Sequence, residues 1–417
     1  MECMTQPQVL KGFRDFLPAD KAARDFVMEK LTHTFQSFGF LPIETPTLEY
    51  RETIMGKYGD EADKLVYQFI DNGDREVALR YDQTVPTARF IANHFGEITF
   101  PFRRYQMQNV FRADKPQRGR YREFTQCDID LFGSTDPIAD AEVLSCVYAA
   151  YSAIGFTSIQ IQVNDRQTLV SALEGCTKPG VGVFSLIQSI DKLDKLPPDE
   201  VIAELVRKGL SNVEATRVLD TLSQLQPSAN LEQILSLAQQ LGVPTSQLTF
   251  NAALARGLDY YTGMIFEVRI PEYTVGSVCG GGRYDNLIEQ LSGIKMPAVG
   301  MAVGFDRTVE AAKQLGLLQD ATTNQTVLVT VFDEHFVGES ATLTAKLREA
   351  GIPAELYSKV EKLGKQFKYA DKRNIRYVVV LGSDEQARQE CVLKDLKSGE
   401  QESIAISELV FSLQSKM

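Results

Sequence analysis

Two hydrophobic rhythms alternate along the chain, and the points where one replaces the other mark out its elements. Over residues 20–38 (DKAARDFVMEKLTHTFQSF) apolar positions return at helical spacing through Phe26, Leu31, Phe35 and Phe38. Gly39 stops the run, which predicts an amphipathic helix. The next stretch, 40-FLPIETPTLEY-50, holds Pro42 and Pro46 and reads as extended chain at a domain edge. KLVYQFI (64–70) and EVALRY (76–81) are strand-like about 71-DNGDR-75, a hairpin turn signal. Residues 102–112 and 121–133 predict a second strand pair around the charged loop 113-ADKPQRGR-120. In 121-YREFTQCDIDLFG-133 a period of two separates unlike faces. Tyr121, Glu123, Thr125, Cys127, Ile129 and Leu131 become apolar towards the end, as a core face does. Arg122, Phe124, Gln126, Asp128, Asp130 and Phe132 line up a cation, a ring, an amide and two carboxylates.

From about 166 to 248 the period shifts to 3.6 in segments such as PDEVIAELVRKG and LEQILSLAQQLG, punctuated by Gly and Pro; this predicts an inserted helical domain. Strand-like sequence returns at 264-MIFEVRI-270. A Gly-rich tight turn is expected at 280-GGGRYDNL-287, and a strand passing into a helix at 298–316. Beyond 325 the order strand, helix, strand, helix, strand predicts a small α/β domain with a mainly parallel sheet.

Composition narrows the picture. At 417 residues the chain is too long for one core. A net charge of −11 argues against wholesale coating of nucleic acid, so the placement of basic residues matters more than their number. Six cysteines are scattered without a CxxC pair, and three histidines are too few for Cys/His metal clusters, so no protein-only metal site is expected. The start, MECMTQPQVLKGFRDFLP, lacks the pattern of a secretory or transit signal, and no apolar run approaches the ~18 residues that span a bilayer. A reducing, cytoplasmic location with no membrane contact is the expectation.

Candidate chemistry gathers on the second hairpin. Arg112, Lys115, Arg118, Arg120 and Arg122 repel one another unless an anion is present, and guanidinium forks suit phosphate. Phe124 offers a flat surface, and Gln126, Asp128 and Asp130 follow on its face, so the arrangement is cationic at one end and acidic at the other. It fits a polyphosphate near the loop and a cationic small molecule deeper in; it fits a solvated hairpin with internal salt bridges equally well. Asp82 and Thr84 share a face in 78-ALRYDQTVPTARF-90, and Arg256, Asp259, Tyr260 and Tyr261 precede a strand. GGGRYDNL is neither GxGxxG nor a P-loop. Lys362, Lys365, Lys368 and Lys372 share one helix face, a candidate phosphate contact or simply a solvated side.

In combination these stretches are specific. FRADKPQRGRYREFTQCDID resembles motif 2 of class II aminoacyl-tRNA synthetases, in the version of the histidyl-tRNA synthetase family. RGLDYYTGMIFEV and GGRYDNL resemble that family's two histidine motifs, GMAVGFDRTV its motif 3, and KGFRDFLP with ETPTLEY its start and motif 1. The resemblance implies an α+β catalytic domain with an antiparallel sheet flanked by helices (1–165 and 249–320). A helical insertion (166–248) and a C-terminal α/β anticodon-binding domain (325–417) complete it. It implies two-step histidylation of tRNA(His) through a histidyl-adenylate, with L-histidine and ATP as substrates, Mg²⁺ accompanying ATP, and a homodimer built by motif 1. By position, Arg112, Arg256 and Arg307 take the catalytic roles. Asp82, Gln83, Thr84, Arg112, Gln126, Asp130, Arg256, Tyr260 and Tyr261 take histidine, Asp130 and Tyr261 at the imidazole. Arg112, Asp114, Arg120, Arg122, Phe124 and Arg307 take ATP, the adenine lying between Phe124 and Arg307. Gln117 and the four lysines face tRNA. Asp82 and Asp130 stand where many bacterial members carry Glu, and ALRYDQTVP looks more like the eukaryotic type. The alternative within the resemblance is a catalytically inactive regulatory subunit of ATP phosphoribosyltransferase, a type that typically lacks the anticodon domain.

Overall fold

The computed structural model describes residues 7–56, 63–255, 260–319 and 326–416. The chain forms two compact units, one ending at Leu318 and one beginning at Gln319.

The first unit is built on an eight-stranded mixed sheet. In chain order its strands are β1 (Leu41–Pro42), β5 (Phe102–Phe111), β6 (Glu123–Phe132), β7 (Gln160–Asp165), β8 (Leu248–Phe250), β9 (Met264–Arg269), β10 (Cys279–Arg283) and β11 (Ala298–Gly304). The spatial order is β1-β5-β6-β11-β10-β9-β7-β8. Pairing is antiparallel through the middle and parallel at the two edges, β1 with β5 and β7 with β8. A three-stranded sheet β2-β4-β3 (Leu48–Tyr50, Glu76–Leu79, Gln68–Ile70) contains the expected hairpin. The helix Pro18–Ser37 forms as expected, with Pro18 at its first turn, and it buries Leu31 and Phe35 as expected, together with Ala23 and Val27. Phe26 and Phe38 are only half-buried.

The predicted turn at 280-GGGR-283 is instead the interior strand β10, bonded on both sides. Gly281 and Gly282 sit there because neighbours come too close for a side chain. A Cβ on Gly282 would lie 2.5 Å from the Met264 carbonyl oxygen and 3.0 Å from Tyr261 Cδ1. Within 166–248, the helices Arg166–Glu174, Val183–Ile190, Pro198–Arg207 and Asn212–Gln224 share their own core through Leu169, Leu186, Leu205 and Val218. The last helix, Ala229–Gln240, packs instead along helix Pro137–Ile154, where Ser145 Oγ donates to the Leu241 carbonyl at 2.9 Å. The helical stretch is thus a lobe of the first unit, with its separate core ending near Leu225.

The second unit has strands β12 (Val327–Val329), β13 (Ala354–Leu356), β14 (Tyr377–Val380), β15 (Glu390–Asp395) and β16 (Gln401–Ala405), ordered β13-β12-β14-β15-β16. The first three are parallel, as expected, and an antiparallel hairpin extends the edge. Lys362, Lys365, Lys368 and Lys372 are all exposed on and before helix Leu363–Lys372, and Lys365 is paired with Glu361 at 2.7 Å.

Candidate active site

Antiparallel register sets the floor of the site, because residues directly opposite one another share a sheet face. One row across the sheet reads Arg104, Asp130, Gly300, Gly282, Ile265 from β5 to β9. The next reads Gln106, Asp128, Ala302, Gly280, Glu267. A third places Gln108, Gln126 and Gly304 together. The positions on β10 and β11 are glycine or alanine in every row, with Asp130 and Asp128 on the β6 side and Glu267 on the β9 side. The floor is therefore a trough whose shape comes from the missing side chains of β10 and β11. It opens into a cavity of about 990 Å³, at the top of the usual range for small-molecule sites.

The acidic end of the trough is tightly held. Asp130 is 4% exposed, pairs with the Arg104 guanidinium and accepts a hydrogen bond from Tyr284 Oη. Burial pushes its carboxyl up to about 6, while Arg104 and the Tyr284 hydroxyl pull the other way. Tyr260 and Tyr261 stand above, ring centroids 4.8 Å apart, with Tyr260 also against Tyr284. Asp82 and Thr84 enter the cavity at the start of helix Thr84–Asn93, where Asp82 Oδ1 accepts from Val85 N. A Cβ on Gly300 would collide with the Asp130 carboxylate. Gly300→Ala is therefore expected to cost roughly 1–3 kcal/mol of stability, which thermal melts check.

The other end is cationic. The Arg112 guanidinium carbon lies 4.3 Å from the Tyr81 ring centroid and 5.1 Å from that of Phe124, and its Nε donates to the Tyr81 carbonyl at 3.0 Å. The ends of its fork remain as donors on the cavity wall. Arg307 Nε donates to the Gly119 carbonyl and Nη1 to the Ser277 carbonyl, each at 2.9 Å, and burial lowers its pKa. Asp114 and Arg120 line the same end, with 3.7 Å between their charged groups. The hairpin loop is tied to helix Phe305–Gln314, because Glu310 accepts from Arg118 at 2.5 Å and from Tyr273 Oη at 3.0 Å. Beneath this end, Arg14 and Arg24 both reach Asp306 Oδ1 at 2.5 Å, and Thr125 N donates to Asp306 Oδ2 at 3.0 Å. The KGFRDFLP stretch thus braces the floor from behind.

Eleven of the expected site residues meet in this one cavity: Asp82, Thr84, Arg112, Asp114, Arg120, Phe124, Gln126, Asp130, Tyr260, Tyr261 and Arg307. Besides the four lysines of the second unit, three described candidates do not line it. Arg122 precedes β6, and its backbone follows the N-terminal segment instead: its N donates to the Gly12 carbonyl at 2.9 Å and its guanidinium to the Asp114 and Lys11 carbonyls. Tyr121 lines the cavity in its place, with Arg14 stacked 3.3 Å from its ring centroid. Gln83 is fully buried, and its Nε2 donates to the Gln108 and Gln126 carbonyls, so it fastens the Asp82–Thr84 turn to the sheet. Gln117 is exposed at the loop tip, bridged to Arg120. Arg256 lies outside the described residues. Arg104, Tyr284, Glu267, Gln188 and Asp191 were not anticipated. Arg104 was legible as the residue facing Asp130 once β5 and β6 pair as a hairpin. Gln188 and Asp191 arrive from the helical lobe, a long-range approach that no local pattern carries.

A family model described as histidyl-tRNA synthetase matches residues 12–308, and one described as anticodon binding domain matches 325–416. A histidine–tRNA ligase of Cytophaga hutchinsonii is 37% identical over 98% of this chain and 100% of its own length. One of Rhodopirellula baltica is 38% identical over 97% and 96%. The crystal structure of histidyl-tRNA synthetase from Nostoc sp. PCC 7120 superposes with a TM-score of 0.86 at 30% identity, covering 99% of this chain and 100% of that one. A structure titled ATP phosphoribosyltransferase regulatory subunit/histidyl-tRNA synthetase, from Bacillus halodurans C, shares the fold at 22% identity and a TM-score of 0.71. With the catalytic and anticodon-binding models in series and full-length relatives on both counts, the chain belongs to the histidyl-tRNA synthetase family of class II aminoacyl-tRNA synthetases.

Proposed function

We propose that the trough holds histidine at its acidic end and ATP at its cationic end, so that the amino-acid carboxylate meets the α-phosphate beside Arg112. The observation that carries this reading is the polarity of the single cavity: Asp130, Tyr261 and Asp82 at one end, Arg112, Arg120 and Arg307 at the other. A carboxylate in its fork and a phosphate oxygen beside it bring two anions together, and a fixed guanidinium offsets their repulsion. As the pentavalent phosphorus forms, charge grows on its equatorial oxygens, where preoriented donors stabilise it most. Arg256 is proposed to act at the same phosphate. Phe124 and Arg307 are proposed to flank the adenine, and Gln126, Asp82 and Thr84 to receive the α-ammonium. In the second step the terminal tRNA hydroxyl attacks the acyl carbonyl and AMP leaves.

Among the described residues no three His, Cys, Asp or Glu side chains converge as a metal cage. Mg²⁺ is therefore proposed as part of the nucleotide substrate, held by phosphate oxygens. The exposed apolar residues Leu48, Tyr50 and Phe69, which share one face of the β2-β4-β3 sheet, support a homodimer through that face. No described helix is long and apolar enough to cross a membrane, in keeping with the proposed cytoplasmic location.

ATP–pyrophosphate exchange dependent on histidine tests the reading against the regulatory-subunit alternative, which has no exchange. Asp130→Ala should leave the buried imidazole without its acceptor, at about 1–3 kcal/mol, so the histidine KM rises by roughly 5- to 150-fold while the ATP KM holds. A fall in ATP affinity instead would assign Asp130 to the other substrate.

A further inference from the structure

Asp128 has no place in the reaction described so far. It sits on β6 between Gln126 and Asp130, which both line the cavity; it is itself 2% exposed and lies beneath that lining, and its Oδ1 accepts no hydrogen bond from any described residue. The groups around it are few. On β5, Gln106 stands opposite, but its amide is already committed to Thr45, Gln108 and Thr87. Arg104, one residue pair along, reaches the Asp128 backbone carbonyl with Nη1, while its Nη2 pairs with Asp130. On β11 the facing residue is Ala302, which brings no charge. Asp82, ahead of helix Thr84–Asn93, and Arg112, past the end of β5, are near enough to act on it electrostatically, and Asp130 adds a like charge. Three carboxylates thus share this end with one fully buried guanidinium, and the nearby Gln126 Oε1, on the cavity wall, is also buried without a donor. A buried carboxyl with one oxygen left without a donor, among carboxylates of like charge, favours the protonated form, and burial drives Asp128 in that direction.

We infer that Asp128 is a positioning residue that couples histidine binding to proton release: it is a neutral acid in the free enzyme and a carboxylate facing the α-ammonium in the complex. This rests on the proposed placement of histidine at the acidic end. The incoming ammonium adds the positive charge that the cluster lacks. The Asp128 O–H bond breaks, its proton passes to solvent, and the ion formed lies beside the cation. Discrimination follows, because a ligand without a positive amino group cannot drive the ionisation.

Calorimetric titration of the full-length enzyme with L-histidine at pH 7.5, in buffers of different ionisation enthalpy, counts the protons released. At that pH Asp130, at about 6, is already mostly ionised. Release of up to one proton per histidine is expected, with affinity rising with pH above about pH 7, where Asp130 has already titrated. Asp128→Asn should bind with no proton released and little pH dependence. On the wild-type enzyme alone, histidine should bleach a protonated-carboxyl band in the infrared difference spectrum, which keeps the test open if the variant fails to fold. No release from the wild type, an unchanged band, or the same proton count in Asp128→Asn overturns the role. Asp82→Ala and Asp130→Ala separate the two layers. If both bind histidine normally, the placement of histidine falls; if they lose it while Asp128→Asn keeps the wild-type count, only the role of Asp128 falls.

Discussion

Arg112→Ala is expected to slow histidine-dependent pyrophosphate exchange by roughly 10²–10³-fold, the usual cost of losing one preoriented donor at a developing charge. The guanidinium is fixed before substrate arrives, by the Tyr81 carbonyl at Nε and by the nearby Tyr81 and Phe124 rings. Its fork can therefore offer two donors at once with little reorganisation. Arg112→Lys should recover only part of the rate, because an ammonium on a flexible stem keeps the charge and loses the fork. The fold should hold in both, since Arg112 is half-buried at the cavity wall and bonds one carbonyl. Single-turnover adenylate formation separates chemistry from product release. A near-normal rate in Arg112→Ala, with a severe loss in Arg256→Ala, would shift the electrostatic burden onto Arg256.

Much of this site was readable before the fold. The strand pair 102–112 and 121–133 alternates cleanly, so the polar face of β6 could be named residue by residue, and Phe124, Gln126 and Asp130 do share the cavity. The alternation failed at its start. Arg122 sits before β6: its carbonyl still accepts from Arg112 N, but its own N–H turns to the Gly12 carbonyl and its guanidinium to the Asp114 and Lys11 carbonyls. Triple glycine misled in the same way. Local rules make Gly280–Gly282 a turn; close strand packing and a side chain reaching over from Tyr261 make them a strand floor. The helical stripe of Pro18–Ser37 was placed correctly at Leu31 and Phe35 and wrongly at its ends, since Phe26 and Phe38 are large enough to look like core without being in it, and the smaller Ala23 and Val27 are. What stayed invisible was pairing at a distance: Tyr284 with Asp130, Asp306 with Arg14 and Arg24, and the helical lobe with the cavity. Those pairings depend on topology, and no periodicity encodes it.

Ending the chain after about residue 320 should divide the two half-reactions. The first unit ends at Leu318 and carries the whole described cavity, and the second unit has a core of its own around Val329, Leu347 and Val379. The shortened protein should therefore fold and retain pyrophosphate exchange, because adenylate formation needs no tRNA. Charging should fall much further, through tRNA affinity, since residues 325–416 match an anticodon-binding domain. The exposed face of Lys362, Lys365, Lys368 and Lys372 is proposed as part of that interface. Lys365 is the least available, being paired with Glu361 at 2.7 Å, but an exposed pair of this kind is worth only about 0–1 kcal/mol and yields readily to a phosphate. Changing all four to Glu in the full chain should weaken tRNA binding and flatten its salt dependence, since each phosphate no longer neutralised takes close to one unit off the slope. Exchange activity should not move. An unchanged slope would take these lysines out of the interface while leaving the domain in it, and loss of exchange on truncation would mean that the first unit depends on the second for its fold.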